Sequence, residues 1–281
     1  MSAVGISQAQ YSNICTIRGQ CAWFVVMSVF EGIESISVLV VGASQGIGLG
    51  FVRHLLCDSR IGRVYATYRG LATTELTTLL AKHPDRLGLI SMDITDEAQI
   101  AQEMAKLQRQ TDKLHLALYC VGFLHEGNIQ PEKSLQQIRA EHLLRYFQVN
   151  SIGAVLLAKY VLPLLQHGER SVFASISAKV GSIGDNHLGG WYGYRASKAA
   201  LNMFMRTTAL EYSRKSPKTL VVMLHPGTTD TRLSKPFQRN VPPDKLFPVE
   251  RTVSQLLSVI EALRSDDSGQ FFSWDGSRLP W

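Results

Sequence analysis

An α/β fold, a doubly wound parallel sheet of about seven strands with helices on both faces, is predicted by three observations. From residue 37 onward, short β-branched and aliphatic runs alternate with longer amphipathic stretches. The runs are apolar along their whole length, as strands covered on both faces must be. A glycine-rich turn follows the first run directly, where a strand would feed a helix.

Each element follows from this pattern. The first strand is expected at 37–41 and its helix at 45–57. A strand at 63–67 leads to a helix at 71–82, and a strand at 87–92 to a helix at 96–108 capped by Thr95 or Asp96. A buried strand at 114–121 precedes a long helical region at 134–166. The fifth strand is expected at 171–177, the next helix within 188–213, and the sixth strand at 219–224. A helix at 249–263 and a short strand at 270–273 close the pattern. Ligands of such sheets bind at the carboxyl ends of the strands, beside the point where strand order reverses. The loop at 181–190 and the Pro-rich stretch 234–248 stand out, and the second is long enough to read as a lid or binding segment.

At 281 residues the chain fits one large domain or two small ones, and the periodicity favours a single domain over 37–281. Residues 1–36 form an N-terminal extension without assignment, with Met27 as an alternative translation start. The apolar segment 21–30, preceded by Arg18, has the length of a signal-peptide core, but no small-x-small cleavage site follows it. Organellar targeting by 1–36 stays open beside a cytoplasmic location. The net charge of +6 is spread along the chain without a basic block, which argues against nucleic acid. No apolar run reaches the roughly 18 residues of a membrane span. Cys15, Cys21, Cys57 and Cys120 form no C-x-x-C pair and have no His partner at metal spacing, so a reducing compartment and no metal are expected.

The turn Gly42-Ala-Ser-Gln-Gly46-Ile-Gly48 lies where a phosphate site needs it. Glycine lets the backbone approach a pyrophosphate, whose charge meets free N–H groups at the helix N-terminus. At the end of the second strand, Tyr65-Ala-Thr-Tyr-Arg69 offers no acid for a ribose 2′-hydroxyl but one arginine suited to a 2′-phosphate. NADP(H) is therefore favoured over NAD(H), with a plain surface arginine as the alternative. Asp93, ending the third strand, is placed to accept from an adenine amino group or to cap a loop.

Tyr194-Arg-Ala-Ser-Lys198 puts a phenol and an ammonium on one face of a helix, one turn apart. A close cation favours the phenolate, which would bring the phenol from its usual pKa of about 10 toward neutrality. The pair is a candidate proton donor and its tuner, or simply a helix face.

With Asn150, the serine strand end at 175–177 and Pro226-Gly227, these motifs occur in the order of the short-chain dehydrogenase/reductase family, which the chain resembles from about residue 37 to its end. Ser177-Ala-Lys-Val-Gly181 and His225-Pro-Gly-Thr228 are most similar to its C-factor-like branch. The resemblance implies a Rossmann-type fold and an oxidoreductase that transfers hydride between a nicotinamide and a small carbonyl or alcohol substrate. By it, Tyr194, Lys198, Ser177 and Asn150 would be catalytic. Tyr194 would protonate the alkoxide, Lys198 would lower its pKa and bond the nicotinamide ribose, and Asn150 would kink its helix and anchor Lys198 through water. Gly42, Ser44, Gln45, Gly46, Ile47, Gly48, Arg69, Asp93, Ile94, Val121, Gly122, Tyr194, Lys198, Pro226, Gly227 and Thr228 would bind the cofactor. The helices around Asn150 and Tyr194 would pair in a homodimer or homotetramer.

Two positions depart from the family pattern. Its catalytic serine stands three residues before the glycine, where this chain has Ala178; Ser177 is one residue early, and a one-residue slip in a strand reverses the face. Tyr119-Cys-Val-Gly122 replaces Asn-Asn-Ala-Gly, with a loss of polar groups at the central sheet. A non-catalytic nucleotide-binding redox sensor or signalling protein is the alternative these departures keep open.

Overall fold

The computed structural model describes residues 28–281. The apolar runs become seven parallel strands: β1 (Ile36–Val41), β2 (Ile61–Tyr68), β3 (Leu87–Ser91), β4 (Leu116–Tyr119), β5 (Ser171–Ile176), β6 (Thr219–His225) and, after two short strands β7 (Thr228–Thr229) and β8 (Leu246–Phe247), β9 (Phe271–Ser273). Their order is β3-β2-β1-β4-β5-β6-β9, so the winding reverses between β1 and β4. The expected doubly wound Rossmann-type sheet is the observed one.

Helices α1 (Gly46–Cys57), α2 (Thr74–Lys82), α3 (Glu97–Gln108), α4 (Ala140–Phe147), α5 (Gly153–Leu165), α6 (Tyr192–Lys215) and α7 (Val249–Glu261) cover the sheet. One core packs Phe51, Leu55, Leu76, Leu256 and Ile260 against Val38, Val40 and Val172. The other packs Met104, Leu157, Val161, Leu201 and Met205 against the opposite side chains, Leu39, Val41 and Phe173. This division follows from strand alternation: neighbours along β1 and β5 face different helix layers. Asp96 caps α3 as expected, accepting from the Gln99 N–H at 3.1 Å.

Three expectations need adjustment. Packing begins before residue 37, because Val29 and Phe30 are buried in the first core; Met27 and the rest of 1–27 lie outside the described residues. The helical region 134–166 is not one regular helix: α4 and α5 are joined by a π turn, Gln148–Ile152. This continuous run, Ala140–Leu165, is long and apolar enough by length and composition to cross a membrane, yet 56% of its most apolar 18-residue window is buried inside the fold. It is apolar because α5 packs against both the sheet and α3, its Leu157, Val161 and Leu164 sharing the core with Met104 and Phe173.

Candidate active site

Gly42, at the carboxyl end of β1, has φ +86°, and its N–H donates to the Thr67 hydroxyl at 3.2 Å. A Cβ there would meet Val121 Cγ2 at 2.8 Å, and one on Gly48 would stand 2.2 Å from the Gly42 carbonyl oxygen. Only glycine permits this turn. Gln45 makes no side-chain cap on α1, and no acid occupies the helix's first turn. The free N–H groups and positive dipole end of α1 therefore stand at the turn formed by Gly42, Ser44, Gln45 and Gly46. Ile47 anchors the helix start by packing into the first core. The cradle fits a pyrophosphate.

Around it stand the other expected cofactor residues. Arg69 is exposed just beyond β2, with its guanidinium 3.9 Å from the Glu126 carboxylate. Asp93 accepts from the Thr95 N–H at 2.9 Å and hydroxyl at 2.8 Å. Partial burial pulls its pKa up, but the Thr95 hydrogen bonds and the charges of Arg69 and Arg145 outweigh it and hold the carboxyl below its usual range. Ile94 is buried beside Gly153, where a Cβ would come within 2.7 Å of its side chain. Gly122 faces Leu233. Gly227 (φ +71°) turns sharply after Pro226, and a Cβ on it would strike Phe247 at 2.6 Å. Thr228 pairs with Leu246 in the small β7–β8 ribbon. This ribbon folds the 228–247 segment back over the site: Thr231 approaches Gly46, Leu233 approaches Gly122, and Phe237 reaches Trp191 with ring centres 5.0 Å apart. Of the Pro-rich stretch itself, Phe237 reaches Trp191 and Phe247 lies against Gly227.

Tyr194 and Lys198 are both buried on one face of α6. Tyr194 packs in a cluster with Phe123, Leu124, Tyr146 and Val149, and Val121 joins the same cluster. Because Val121 also abuts Gly42, the phosphate cradle and the phenol share a wall. The Lys198 ammonium donates to the Ile176 carbonyl at 3.0 Å and lies 5.9 Å from the centre of the Tyr194 ring. Gly181 lets the chain after β5 pass this close, since a Cβ there would stand 2.8 Å from Lys198 Cβ. Burial drives the Tyr194 pKa up, and it brings that of Lys198 down to about 8. Desolvation is the cause of both shifts, and the ammonium donates to a backbone carbonyl.

Asn150 sits inside the π turn, fully buried. Its Oδ1 accepts from the Phe123 N–H at 2.7 Å, and its Nδ2 donates to the Phe123 carbonyl and the Ser197 hydroxyl, each at 2.9 Å. It therefore clamps the segment after β4 onto α6, beside Lys198 but not on it. The polar sheet support missing from 119–122 is supplied by Tyr119, whose hydroxyl donates to the Val149 carbonyl at 2.6 Å.

The structure does not bring Ser177 to Tyr194. Its buried hydroxyl donates to Asn202 Oδ1 at 2.7 Å, and Ala178 is the residue that packs against the Tyr194 cluster. Glu132 was not foreseen: its carboxylate accepts the Gly193 N–H at 3.1 Å and its carbonyl accepts the Trp191 N–H at 2.5 Å, so it caps α6 from a distant loop. At the amino ends of the central strands β4 and β5, away from the carboxyl ends, His115, His167 and Glu169 gather with ligand atoms within 4.8 Å of one another. His115 Nδ1 accepts from the Ser37 N–H, which leaves the Nε2 proton for Glu169.

Comparison with known proteins agrees with this geometry. The sequence profile described as short chain dehydrogenase matches residues 37–242. The C-signal of Myxococcus xanthus is 34% identical over 139 residues, covering 50% of this chain and 78% of its own. A benzil reductase, (S)-benzoin forming, of Saccharomyces cerevisiae is 31% identical over 221 residues, covering 75% and 78%. The crystal structure of an NADPH-bound carbonyl reductase from chicken fatty liver superposes with a TM-score of 0.79 at 30% identity, covering 88% of this chain and 100% of that one. With the family match over most of the chain and the shared fold, the chain belongs to the short-chain dehydrogenase/reductase family and is a hydride-transfer oxidoreductase acting between carbonyl and alcohol.

Proposed function

We propose that this protein is an NADP(H)-dependent carbonyl reductase in which Tyr194 delivers the proton and Lys198 tunes it. The observation that carries the reading is the shared Val121 wall, which sets a buried phenol directly beside a glycine cradle. Gly42, Ser44, Gln45, Gly46, Ile47 and Gly48 would hold the pyrophosphate, Arg69 the 2′-phosphate, Asp93 and Ile94 the adenosine, and Val121, Gly122, Pro226, Gly227 and Thr228 the nicotinamide side. NADPH-bound and NADP-bound neighbours support the cofactor choice. When bound, the reduced nicotinamide supplies a hydride to the carbonyl carbon.

The residues of this chain do the rest. Burial keeps Tyr194 protonated at neutral pH, which is the form a reductase needs. Its proton passes to the carbonyl oxygen as negative charge develops there. Lys198, held by the Ile176 carbonyl, stands over the phenol ring and stabilises the phenolate that remains. Asn150 fixes the loop after β4 to α6. Met203 and Leu210, exposed on α6, support a homodimer or homotetramer through that helix.

A thermal-shift comparison of NADP⁺ with NAD⁺, followed by carbonyl turnover read at the nicotinamide absorbance, tests the reading. Tyr194→Phe is expected to keep NADPH affinity and lose turnover by about 10²- to 10⁴-fold. Undiminished turnover in that variant overturns the assignment.

A further inference from the structure

We propose that Ala178 is a specificity-determining residue that restricts this enzyme to electron-poor carbonyls, α-dicarbonyl compounds above all, because it puts a methyl where a second hydroxyl would hold the substrate oxygen. The proposal rests on the reductase reading and names the substrate class of that site.

Strand alternation sets the arrangement. Along β5, Phe173 belongs to the core shared with α6, and Ser175 and Ser177 follow it at even spacing, both buried. Ser177 accordingly meets Asn202, one turn beyond Lys198 on α6. That bond is hard to redirect. Asn202 is buried, its Nδ2 has no partner among the described residues, and turning Ser177 away would leave its Oδ1 unpaired as well. Ala178, half-buried with an extended backbone (φ −150°, ψ 141°), turns instead toward the cluster of Phe123, Tyr146 and Tyr194. The Tyr146 hydroxyl there is already committed, donating to the Leu124 carbonyl at 2.7 Å. Tyr194 is left to meet the developing oxyanion on this side of the site.

The chemical consequence is selective. Removing one oxyanion donor lowers the rate by about 10²- to 10³-fold. An unactivated ketone bears that loss in full. A ketone beside a second carbonyl bears little, because the neighbour withdraws charge from the same oxyanion and makes the attacked carbon more electrophilic. One C=O of the dicarbonyl takes the hydride at carbon and the Tyr194 proton at oxygen, and an α-hydroxy ketone results. The two electrons are those of the reduced nicotinamide dinucleotide, and solvent reprotonates Tyr194. Trp191 and Phe237, with ring centres 5.0 Å apart, offer the apolar wall that an aryl or alkyl flank would need.

Benzil and deoxybenzoin, which differ by CO against CH₂ beside the reacting carbonyl, are the probes, used with NADPH on wild type, Ala178→Ser and Ala178→Gly. Intrinsic reactivity already favours benzil, so the variants decide. Ala178→Ser is expected to raise kcat/KM for deoxybenzoin by about 10- to 100-fold while moving that for benzil less than about 3-fold. Ala178→Gly, which adds no donor, is expected to leave the ratio of the two unchanged. A second readout needs no turnover: the infrared carbonyl stretch of deoxybenzoin bound in the presence of NADP⁺ is expected to move to lower wavenumber in Ala178→Ser alone. An unchanged ratio and stretch in Ala178→Ser, or the same change in Ala178→Gly, overturns the proposal. Absence of reduction of both ketones overturns the reductase reading, and the stretch then still decides whether Ala178 withholds a hydrogen bond.

Discussion

The Lys198 ammonium stands 3.0 Å from the Ile176 carbonyl oxygen and 5.9 Å from the centre of the Tyr194 ring, so α6 is tied to the end of β5 by the same charge that would tune the phenol in the proposed mechanism. One hydrogen bond does not offset the removal of an ammonium from water. The group therefore gives up its proton more readily in the folded protein than in the unfolded chain, at about 8.

That difference gives stability a pH dependence of definite sign. Between about 8 and the unfolded lysine value of about 10.4, the unfolded chain holds more protons at this site than the folded protein, so the Lys198 contribution becomes less unfavourable as pH rises. Urea unfolding of wild type and Lys198→Met, compared at pH 7 and pH 10 without cofactor, isolates the effect. The stability advantage of Lys198→Met is expected to shrink by about 2 kcal/mol over that interval. The same difference at both pH values would show that the ammonium is not desolvated. The difference between variants is needed because Tyr119, Tyr146 and Tyr194, whose pKa values burial raises, pull total stability the other way above pH 10.

In the proposed reading, Arg69 would carry the cofactor preference alone on its strand end. It is exposed, its only described ion pair is the loose one to Glu126, and no acid stands on residues 65–68. Charge-assisted hydrogen bonds contribute about 1.5–3 kcal/mol. Arg69→Glu is expected to lower the affinity for NADPH relative to NADH by about 10- to 100-fold, read by quenching of intrinsic tryptophan fluorescence. An unaltered affinity ratio would remove Arg69 from 2′-phosphate recognition.

What the sequence made legible and what it did not divide along physical lines. Glycine spacing, apolar strand runs and the Tyr/Lys helical spacing are local, and the glycine turn after β1, the parallel sheet and the shared face of the α6 pair follow from them, whereas the strand order does not. Alternation alone placed Ser177 on the wrong face for the substrate. Its partner Asn202 was out of reach, because a 25-residue separation crossing from strand to helix leaves no periodic trace. That Asn150 would kink its helix came from the family resemblance and not from any local pattern, and the residue lies in the π turn Gln148–Ile152. Its hydrogen bonds to Phe123 and Ser197 were not legible either, since both depend on how an irregular loop docks on α6.

Glu132 is the clearest residue of this second kind, and it carries the last prediction. Trp191, at the N-cap of α6, holds a left-handed φ of 53°, a conformation that costs a bulky residue about 1–2 kcal/mol. Glu132 stabilises it twice over, with its carbonyl on the Trp191 N–H and its carboxylate on the Gly193 N–H, where the helix dipole also favours negative charge. Gly193 admits the close packing of this turn on Tyr146, since a Cβ would stand 2.4 Å from that ring. Glu132→Ala leaves a buried N–H unpaired one residue before Tyr194, a loss of about 1–3 kcal/mol. Glu132→Gln keeps the accepting oxygen and is expected to recover most of it. The thermal midpoint of Glu132→Ala is expected to fall by about 2–4 °C per kcal/mol, with kcat reduced and NADPH affinity little changed, because the cradle at Gly42–Gly48 is built on another helix. A midpoint and kcat equal to wild type would mean that the first turn of α6 holds Tyr194 without this cap.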